Sequence, residues 1–372
     1  GEAFIVQADD PSAIAFNPAG LPKVTNTQVN LQLTLCNSYI DYESPTGEKT
    51  SNESEWQPIP AFFVTSDFGV ERFAAGLGLS YPNGLSSRWA DDSFARYVAT
   101  YSSLSVADVS PAVGFQVNDN LKLGAGFNYY YSKARLESMM DMGLAMGAPG
   151  AMDVQRVLKG NGSSWGCNFG AIYDINKKHG LALTWHKPYS IDYDGTVSAA
   201  GMSQKVKTTI DFPGVIVAGY AFRPVEKLKI EFNLDWTAWQ QVDDIVISYR
   251  IPGAPPTIIK EDLNNTFAYK LGAEYLYSPQ LALRCGYIYN ENATPEETWR
   301  PSLPDANMHF FMAGFGYTYK QVTIDTALQL VYYEKRTIEN NVDMNEAISS
   351  STIDGTYETL APCVSVGATY RF

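Results

Sequence analysis

Val366-Gly-Ala-Thr-Tyr-Arg-Phe372, with which the chain ends, alternates apolar or aromatic side chains with small or polar ones up to a terminal aromatic ring. In an extended strand successive side chains point to opposite faces. Val364, Val366, Ala368, Tyr370 and Phe372 therefore share one face, and Cys363, Ser365, Gly367, Thr369 and Arg371 share the other. Such a strand fits the last strand of a membrane β-barrel, its apolar set toward lipid and its second set toward the lumen. Alone it would fit an edge strand of a soluble sandwich better, so the decision rests on the rest of the chain.

The same period recurs throughout. Phe267, Tyr269, Leu271, Ala273, Tyr275 and Tyr277 alternate with residues that include Lys270, Gly272 and Glu274. Leu281, Leu283, Cys285, Tyr287 and Tyr289 repeat the pattern around Arg284, as do Leu228, Ile230, Phe232, Leu234 and Trp236 around Lys229, Glu231 and Asp235. Leu121 to Ser132 does the same with Lys122, Gly124, Gly126 and Asn128. An Arg or Lys facing the bilayer midplane costs roughly 2 to 4 kcal/mol, so in a membrane barrel the charged face must look inward. Aromatics crowd the strand ends, as at a membrane interface. Aromatic residues make up 13% of the chain and mean hydropathy is only −0.18, the balance expected when apolar outer faces are averaged against a polar lumen. No apolar run reaches the roughly 18 to 20 residues of a transmembrane helix.

The fold expected is therefore all-β, a transmembrane antiparallel β-barrel of about 14 strands. Its links sort into two kinds. Short turns fall near Asp67-Phe-Gly69, Asn118-Asp-Asn120, Asn176-Lys-Lys178, Arg223-Pro-Val225, Ser278-Pro279 and Tyr319-Lys320. Long links fall around 38–55, 83–105, 137–161, 190–206, 252–263, 291–306 and 336–356. Short links belong to the periplasmic side and long ones to the outside, and an even strand number puts both chain ends in the periplasm. Residues 1–24 do not alternate. Asp10-Pro11 and Asn17-Pro18 mark compact irregular structure, expected to plug the lumen of a barrel formed by residues 25–372.

These features, taken in order, resemble the FadL/TodX family of outer-membrane channels for long-chain fatty acids and aromatic hydrocarbons. Asn17-Pro18-Ala19 is similar to the family's hatch segment. Gly84-Leu85 with Trp89, Asp92, Arg96 and Tyr97 resembles its first large outer loop, and Pro111 through Tyr130 its fourth and fifth strands. Trp165-Gly166, Asp235-Trp236, Tyr269 to Tyr275, Leu283-Arg284, Gly286 and Pro304-Asp305 extend the likeness over nearly the whole chain. Family members usually carry several tens of residues ahead of Ala8-Asp-Asp10, where only Gly1 to Gln7 stand here. The expectation is a hatch shortened at its start, or a reduced plug. The end of the chain also resembles the signal read by the barrel-assembly machinery, Gly-x-x-aromatic-x-aromatic, with Val366 where that signal usually carries a polar residue.

The resemblance implies capture of a hydrophobic molecule by outer loops, binding in the lumen against the hatch, and sideways exit into the membrane at a kinked third strand. Here that strand is Arg72 to Tyr81, and Gly76 and Gly78 are where a bulge is expected, with Phe16, Asn17, Pro18 and Ala19 against the gap. For capture, residues 137–162 hold Met139, Met140, Met142, Met146 and Met152, five of the nine methionines, together with Leu144. Methionine is flexible and polarisable, suited to surfaces that accept varied apolar ligands, although such residues can also simply pack a loop on itself. Among the inward charges, Lys270 and Arg284 are the candidates to hold a substrate carboxylate; the competing reading pairs these charges with one another inside a wet barrel.

Other classes fall away. His179, His186 and His309 stand in unrelated places, so no Ser-His-acid set is visible and no enzyme is expected. The four cysteines, Cys36, Cys167, Cys285 and Cys363, are scattered singly without metal spacing. Cys167 and Cys285 fall on apolar-parity positions and are expected to be unpaired; one disulfide stays open. A net charge of −13 argues against nucleic acid as partner. It suits solvated acidic outer loops, with room for divalent cations beside lipopolysaccharide. The expected partners are a hydrophobic small molecule, outer-membrane lipid and lipopolysaccharide, and the assembly machinery; the expected state is a monomer without cofactor or metal. A non-specific porin and a surface adhesin or receptor are the alternatives.

Overall fold

Fourteen antiparallel strands close into a barrel because each presents one apolar and one polar face and only closure leaves no strand edge in the membrane. In the computed structural model, which describes residues 3–340, 342 and 353–372, the wall strands are as follows. β1 is Gln28–Cys36, β2 Gln57–Ser66, β3 Phe73–Arg88, β4 Tyr101–Gln116, β5 Leu121–Asp141 and β6 Asp153–Asp174. β7 is His179–His186 with its extension Tyr189–Ala199, and β8 is Met202–Phe212 continued by Val215–Val225. β9 is Leu228–Thr237 extended by Ile245–Tyr249, β10 Thr266–Leu276, β11 Leu281–Asn290, β12 Met308–Tyr319, β13 Val322–Ile338 and β14 Gly355–Arg371. Each strand pairs with the next, and β14 closes on β1 from Gln28 opposite Arg371 to Cys36 opposite Cys363.

The sidedness follows the sequence parity. Leu31, Leu33, Phe267, Tyr269, Leu271, Tyr275, Val364, Val366 and Tyr370 are exposed on the outer face, whereas Asn30, Lys122, Asn168, Glu231, Asn233 and Glu274 are buried inside. So dense an apolar exterior belongs in lipid. No helix among the described residues is long and apolar enough to cross a membrane. Short links join the strands on the side where the wall begins and ends, where Phe372 N donates to Thr27 O at 2.9 Å. The turn placed at Arg223-Pro-Val225 lies slightly later, at Glu226-Lys227, because Val225 still pairs with Leu228.

The strands outrun the bilayer. β5 and β6 have 21 and 22 residues, about twice what a tilted membrane strand needs. Residues 137–161, expected as a long loop, are mostly ladder: Met139 lies opposite Gln155 and Met140 opposite Val154, and only 142–152 turn over. Polar residues on both faces hid this extension, since period two is legible only where one face is apolar. The expected link at 336–356 falls largely outside the described residues.

Cys36 and Cys363 are joined by a disulfide across the closing seam. Barrel closure makes neighbours of residues 327 positions apart, which settles the possibility the spacing left open. Cys167 and Cys285 are unpaired and lie on the outer face with Trp165, Phe169, Leu283 and Tyr287.

Candidate functional site

The lumen floor is the N-terminal segment. Ala13–Phe16 forms one short helical turn and Pro18–Lys23 a 3-10 turn, where Pro18 supplies a preset φ and Asn17 caps the second turn by accepting from Ala19 N at 3.1 Å. Asn17 Nδ2 also donates to Ile5 O at 2.7 Å, folding the segment on itself. Ile5, Val6, Ala8, Ile14, Ala19 and Leu21 are fully enclosed and pack with Phe63, Ala74, Ala112 and Ile172 of the wall. Phe16 meets Phe4 edge to face at 5.6 Å. Glu231 accepts from Val6 N and Gln7 N, both at 2.8 Å, and Lys229 pairs with Asp9 at 3.2 Å, so β9 fixes the start of the segment.

Wall glycines make the seat. A Cβ on Gly124 would lie 2.2 Å from Ala19 N, one on Gly114 2.6 Å from Pro18 O, and one on Gly170 would overlap the Asn17 side chain. Asn17-Pro18-Ala19 therefore rests on β4, β5 and β6, not on the third strand as expected. On the third strand, Ile14 fills the space over Gly76 and Gly78.

At those two glycines the ladder is intact on both sides. Gly76 pairs with Thr65 and Ala112, Gly78 with Phe63 and Ser110, so the expected bulge is not there. The glycines are small because Ile14 needs the room. The irregularity lies a few residues later, where the register with β4 shifts between Ser80 and Asn83 around Tyr81-Pro82. Here β2 and β3 also part. They pair only from Ser66 opposite Ala75 to Phe62 opposite Leu79, after which Gln57 to Ala61 keep β1 alone as partner and Ser80 to Arg88 keep β4 alone. The gap ends at the top, where Glu53 N donates to Arg88 O at 2.9 Å. The strand part of the β2 rim, Gln57 to Ala61, spans about 15 Å. Pro58 and Pro60 line one rim and Pro82 the other. Proline has no N–H to leave unpaired, which is why it is tolerated on strand edges.

Beside this window the lumen wall is polar and aromatic. Asp108 lies opposite Ser80 on one side and Tyr130 on the other. Asn128 Nδ2 donates to Asp108 Oδ2 at 2.8 Å, and Asn168 leans over Gly126, the next step toward the floor. Tyr130 lies over Gly166 and stacks on Tyr189 at 3.8 Å, which stacks on Phe212 at 4.8 Å. Asn83 Nδ2 donates to Tyr189 Oη at 3.0 Å, tying the window rim to this aromatic row. Asp108, Asn128, Asn168 and Tyr189 were not singled out in the sequence. The available signal was their inward parity next to the break at Tyr81-Pro82.

The expected carboxylate holders are engaged elsewhere. Lys270 pairs with Asp235 at 2.9 Å. Arg284 pairs with Glu274 at 2.7 Å and with Asp325, and Glu274 also takes Lys229 at 3.0 Å. This network carries across the lumen to Asp9 of the floor. The methionines split. Met139 and Met140 are half-buried in the ladder, while Met142, Leu144, Met146 and Met152 are exposed at the tip of the β5–β6 hairpin, Met146 by 63%. The tip is braced below by Arg96 and Tyr97, both bonded to Asp153. A separate cavity of about 800 Å³ lies between the outer links, lined by Asp243, Asp244, Val246, Asp262, Leu263 and Glu297. Glu261, bordering that region, is pushed up to about 7 by burial, with Arg300 opposing. Among the described residues no cluster of His, Cys, Asp or Glu could hold a metal ion.

The whole chain, residues 1–372, matches the family model described as outer membrane protein transport protein (OMPP1/FadL/TodX). It is 21% identical to the long-chain fatty acid transport protein of Escherichia coli K12 over 96% of this chain and 89% of that protein. It is 22% identical to outer membrane protein P1 of Haemophilus influenzae over 86% and 79%. Among solved structures, a Pseudomonas aeruginosa FadL homologue superposes with a TM-score of 0.86 at 18% identity, covering 98% of this chain and 94% of that one. The Pseudomonas putida toluene transporter TodX gives 0.78 at 15% identity with the same coverage. A barrel with an apolar exterior, a plugged lumen and these relatives belongs to the FadL/TodX family of bacterial outer-membrane transport proteins, which are channels and not enzymes.

Proposed function

We propose that the chain takes up hydrophobic molecules of the fatty acid or aromatic hydrocarbon kind and releases them sideways into the membrane through the window between β2 and β3. The window carries this reading: a gap whose β2 rim is about 15 Å of unpaired strand edge, rimmed by Pro58, Pro60 and Pro82 and opening beside the lumen wall. The driving force supports it. Burying a methylene is worth about 0.8 kcal/mol, so a C16 chain gains on the order of 10 kcal/mol on leaving water. Exit to the periplasm would forfeit that gain, and lateral exit into hydrocarbon keeps it. The exposed tip with Met142, Leu144, Met146 and Met152 is the capture surface, and the segment resting on Gly114, Gly124 and Gly170 is the hatch that blocks straight passage. Lipopolysaccharide around the outer rim, the assembly machinery at the last strand and a monomeric state complete this reading.

A cross-link tests it. Pro60→Cys with Tyr81→Cys places thiols on facing rims two residues above the last β2–β3 pair. Once oxidised, uptake of a hydrophobic tracer should fall at least about tenfold and recover on reduction, with the native Cys36–Cys363 protein treated in parallel. Unchanged uptake with the cross-link formed rules out the lateral route.

A further inference from the structure

The polar wall beside the window is made of groups that want a donor. Asp108, Asn128 and Asn168 are each at least nine-tenths buried. By geometry Asp108 Oδ1, Asn128 Oδ1 and both amide atoms of Asn168 make no hydrogen bond among the described residues, and the nearest donor to Asp108 beyond Asn128 is the Ser110 hydroxyl, which is also unpartnered. Such groups are costly to enclose unless something completes them. Three of the four atoms are acceptors, and the fourth, an amide N–H, is a donor. No cation offsets them, since Asp108 forms no ion pair among the described residues and Lys270 and Arg284 are held by Asp235, Glu274 and Asp325. On the same inner face Val106, Tyr130, Ile191, Tyr193 and Phe212 form an apolar cluster.

We propose that Asp108, Asn128 and Asn168 form a head-group site that favours hydrophobic molecules bearing a neutral hydroxyl, such as alkylphenols or long-chain alcohols, over ionised carboxylates. The hydroxyl donates to Asp108 Oδ1 or Asn128 Oδ1 and accepts from Asn168 Nδ2, while its apolar body lies along the Tyr130 to Phe212 row. A carboxylate at the same place would bring a second negative charge against Asp108 in a low-dielectric space, with no donor for most of its lone pairs. An unsubstituted hydrocarbon would fit but leave the acceptors unpaired. This assignment rests on the lumen being the ligand compartment of the transport route.

The test uses the purified full chain in detergent and three probes that share a ring and tail, 4-ethylphenol, ethylbenzene and 4-ethylbenzoate, with binding followed by calorimetry. One matched hydrogen bond is worth about a factor of ten. 4-Ethylphenol should therefore bind about tenfold more tightly than ethylbenzene, and 4-ethylbenzoate most weakly. Asn168→Leu, which removes the donor to the hydroxyl, should weaken 4-ethylphenol severalfold and leave ethylbenzene unchanged. Asp108→Asn, close in shape, should leave 4-ethylphenol within about threefold and strengthen 4-ethylbenzoate severalfold. Heat-modifiable mobility shows that each variant is a folded barrel. Equal binding of the three probes, or preference for the benzoate, overturns the head-group site and leaves the transport reading standing. No binding of any probe removes the lumen as ligand compartment, and the head-group site with it.

Discussion

Two seams of one barrel behave oppositely. The seam between β5 and β6 runs without interruption from Leu121 opposite Tyr173 to Asp141 opposite Asp153, well beyond the bilayer. The seam between β2 and β3 holds only from Phe62 opposite Leu79 to Ser66 opposite Ala75. The difference lies in a few residues. The long seam has no proline; Gly124, Gly126, Gly166 and Gly170 on it are cradles over which Ala19, Asn168, Tyr130 and Asn17 lie. The short seam carries Pro58-Ile-Pro60 on one strand and Tyr81-Pro82 on the other. Glycine here accommodates what presses on the wall, and proline decides where the wall stops pairing.

The largest effect should come from making the short seam like the long one. Pro58→Val and Pro60→Val restore two donors, and deleting Pro82 removes the extra residue of the bulge. Uptake of a hydrophobic tracer by cells should then fall by at least about an order of magnitude while the barrel assembles normally. Uptake at the native rate in that variant would separate the window from transport. The pair Gly76→Val and Gly78→Val is a poorer closure, because the ladder is already formed there. Added methyls would strike Val64 O and Ile14 and unseat the floor instead.

The next effect breaks the long seam's role as a seat. Gly124→Ala puts a Cβ 2.2 Å from Ala19 N and from Pro18 C, both backbone, so the floor must shift. Overpacking of this kind costs about 1 to 3 kcal/mol. Single-channel recordings should show a polar leak absent from the native protein. Ile14→Ala, at the short seam, removes side-chain contacts only and should leak less. The reverse order would mean that the floor is held from β3 and not from β4 to β6.

A smaller effect is expected at the tip of the long seam. Met146→Asp places a charge at a residue exposed by 63%, so folding should be unaffected and uptake at low tracer concentration should drop about threefold, less at saturation. An equal loss at all concentrations would show that the tip does not act in capture.

What could be read from the chain divides along the same line. Where one face is apolar, as in Phe267 to Tyr277 or Val364 to Phe372, period two fixes strand, sidedness and closure. Inward charges such as Lys270 and Arg284 are visible by parity, but their commitment to Asp235, Glu274 and Asp325 depends on register between strands. Gly76 and Gly78 mislead because a glycine's use depends on what faces it, and Ile14 arrives from a segment sixty residues earlier. The extension of β5 and β6 is hidden by polar residues on both faces, such as Arg135 opposite Lys159 on one and Ser138 opposite Arg156 on the other. The Cys36–Cys363 bond waits on closure.

The smallest effect concerns how firmly the floor sits between the two seams. Asp10 accepts from Ser12 N at 2.8 Å and from the Ser12 hydroxyl, and burial pushes its carboxyl up from its ordinary value to about 6, with Asp9 adding to the rise. A raised carboxyl means that the seated floor binds the proton more tightly than the released one. Seating is therefore favoured fully below about pH 3.8, the value of the released form, and that advantage is lost as pH rises through about 6. Asp10 keeps some contact with solvent, so the effect is modest. Amide hydrogen exchange across residues 3–24, corrected for the intrinsic pH dependence, should show weaker protection at pH 8 than at pH 4.5. Asp10→Asn, which cannot ionise, should flatten that difference, whereas an unchanged pH dependence in the variant would move its source to another group. Because the floor meets the wall glycines of β4 and β5 with backbone atoms and those of β3 with the Ile14 side chain, the loss should begin on the β3 side, the side of the window.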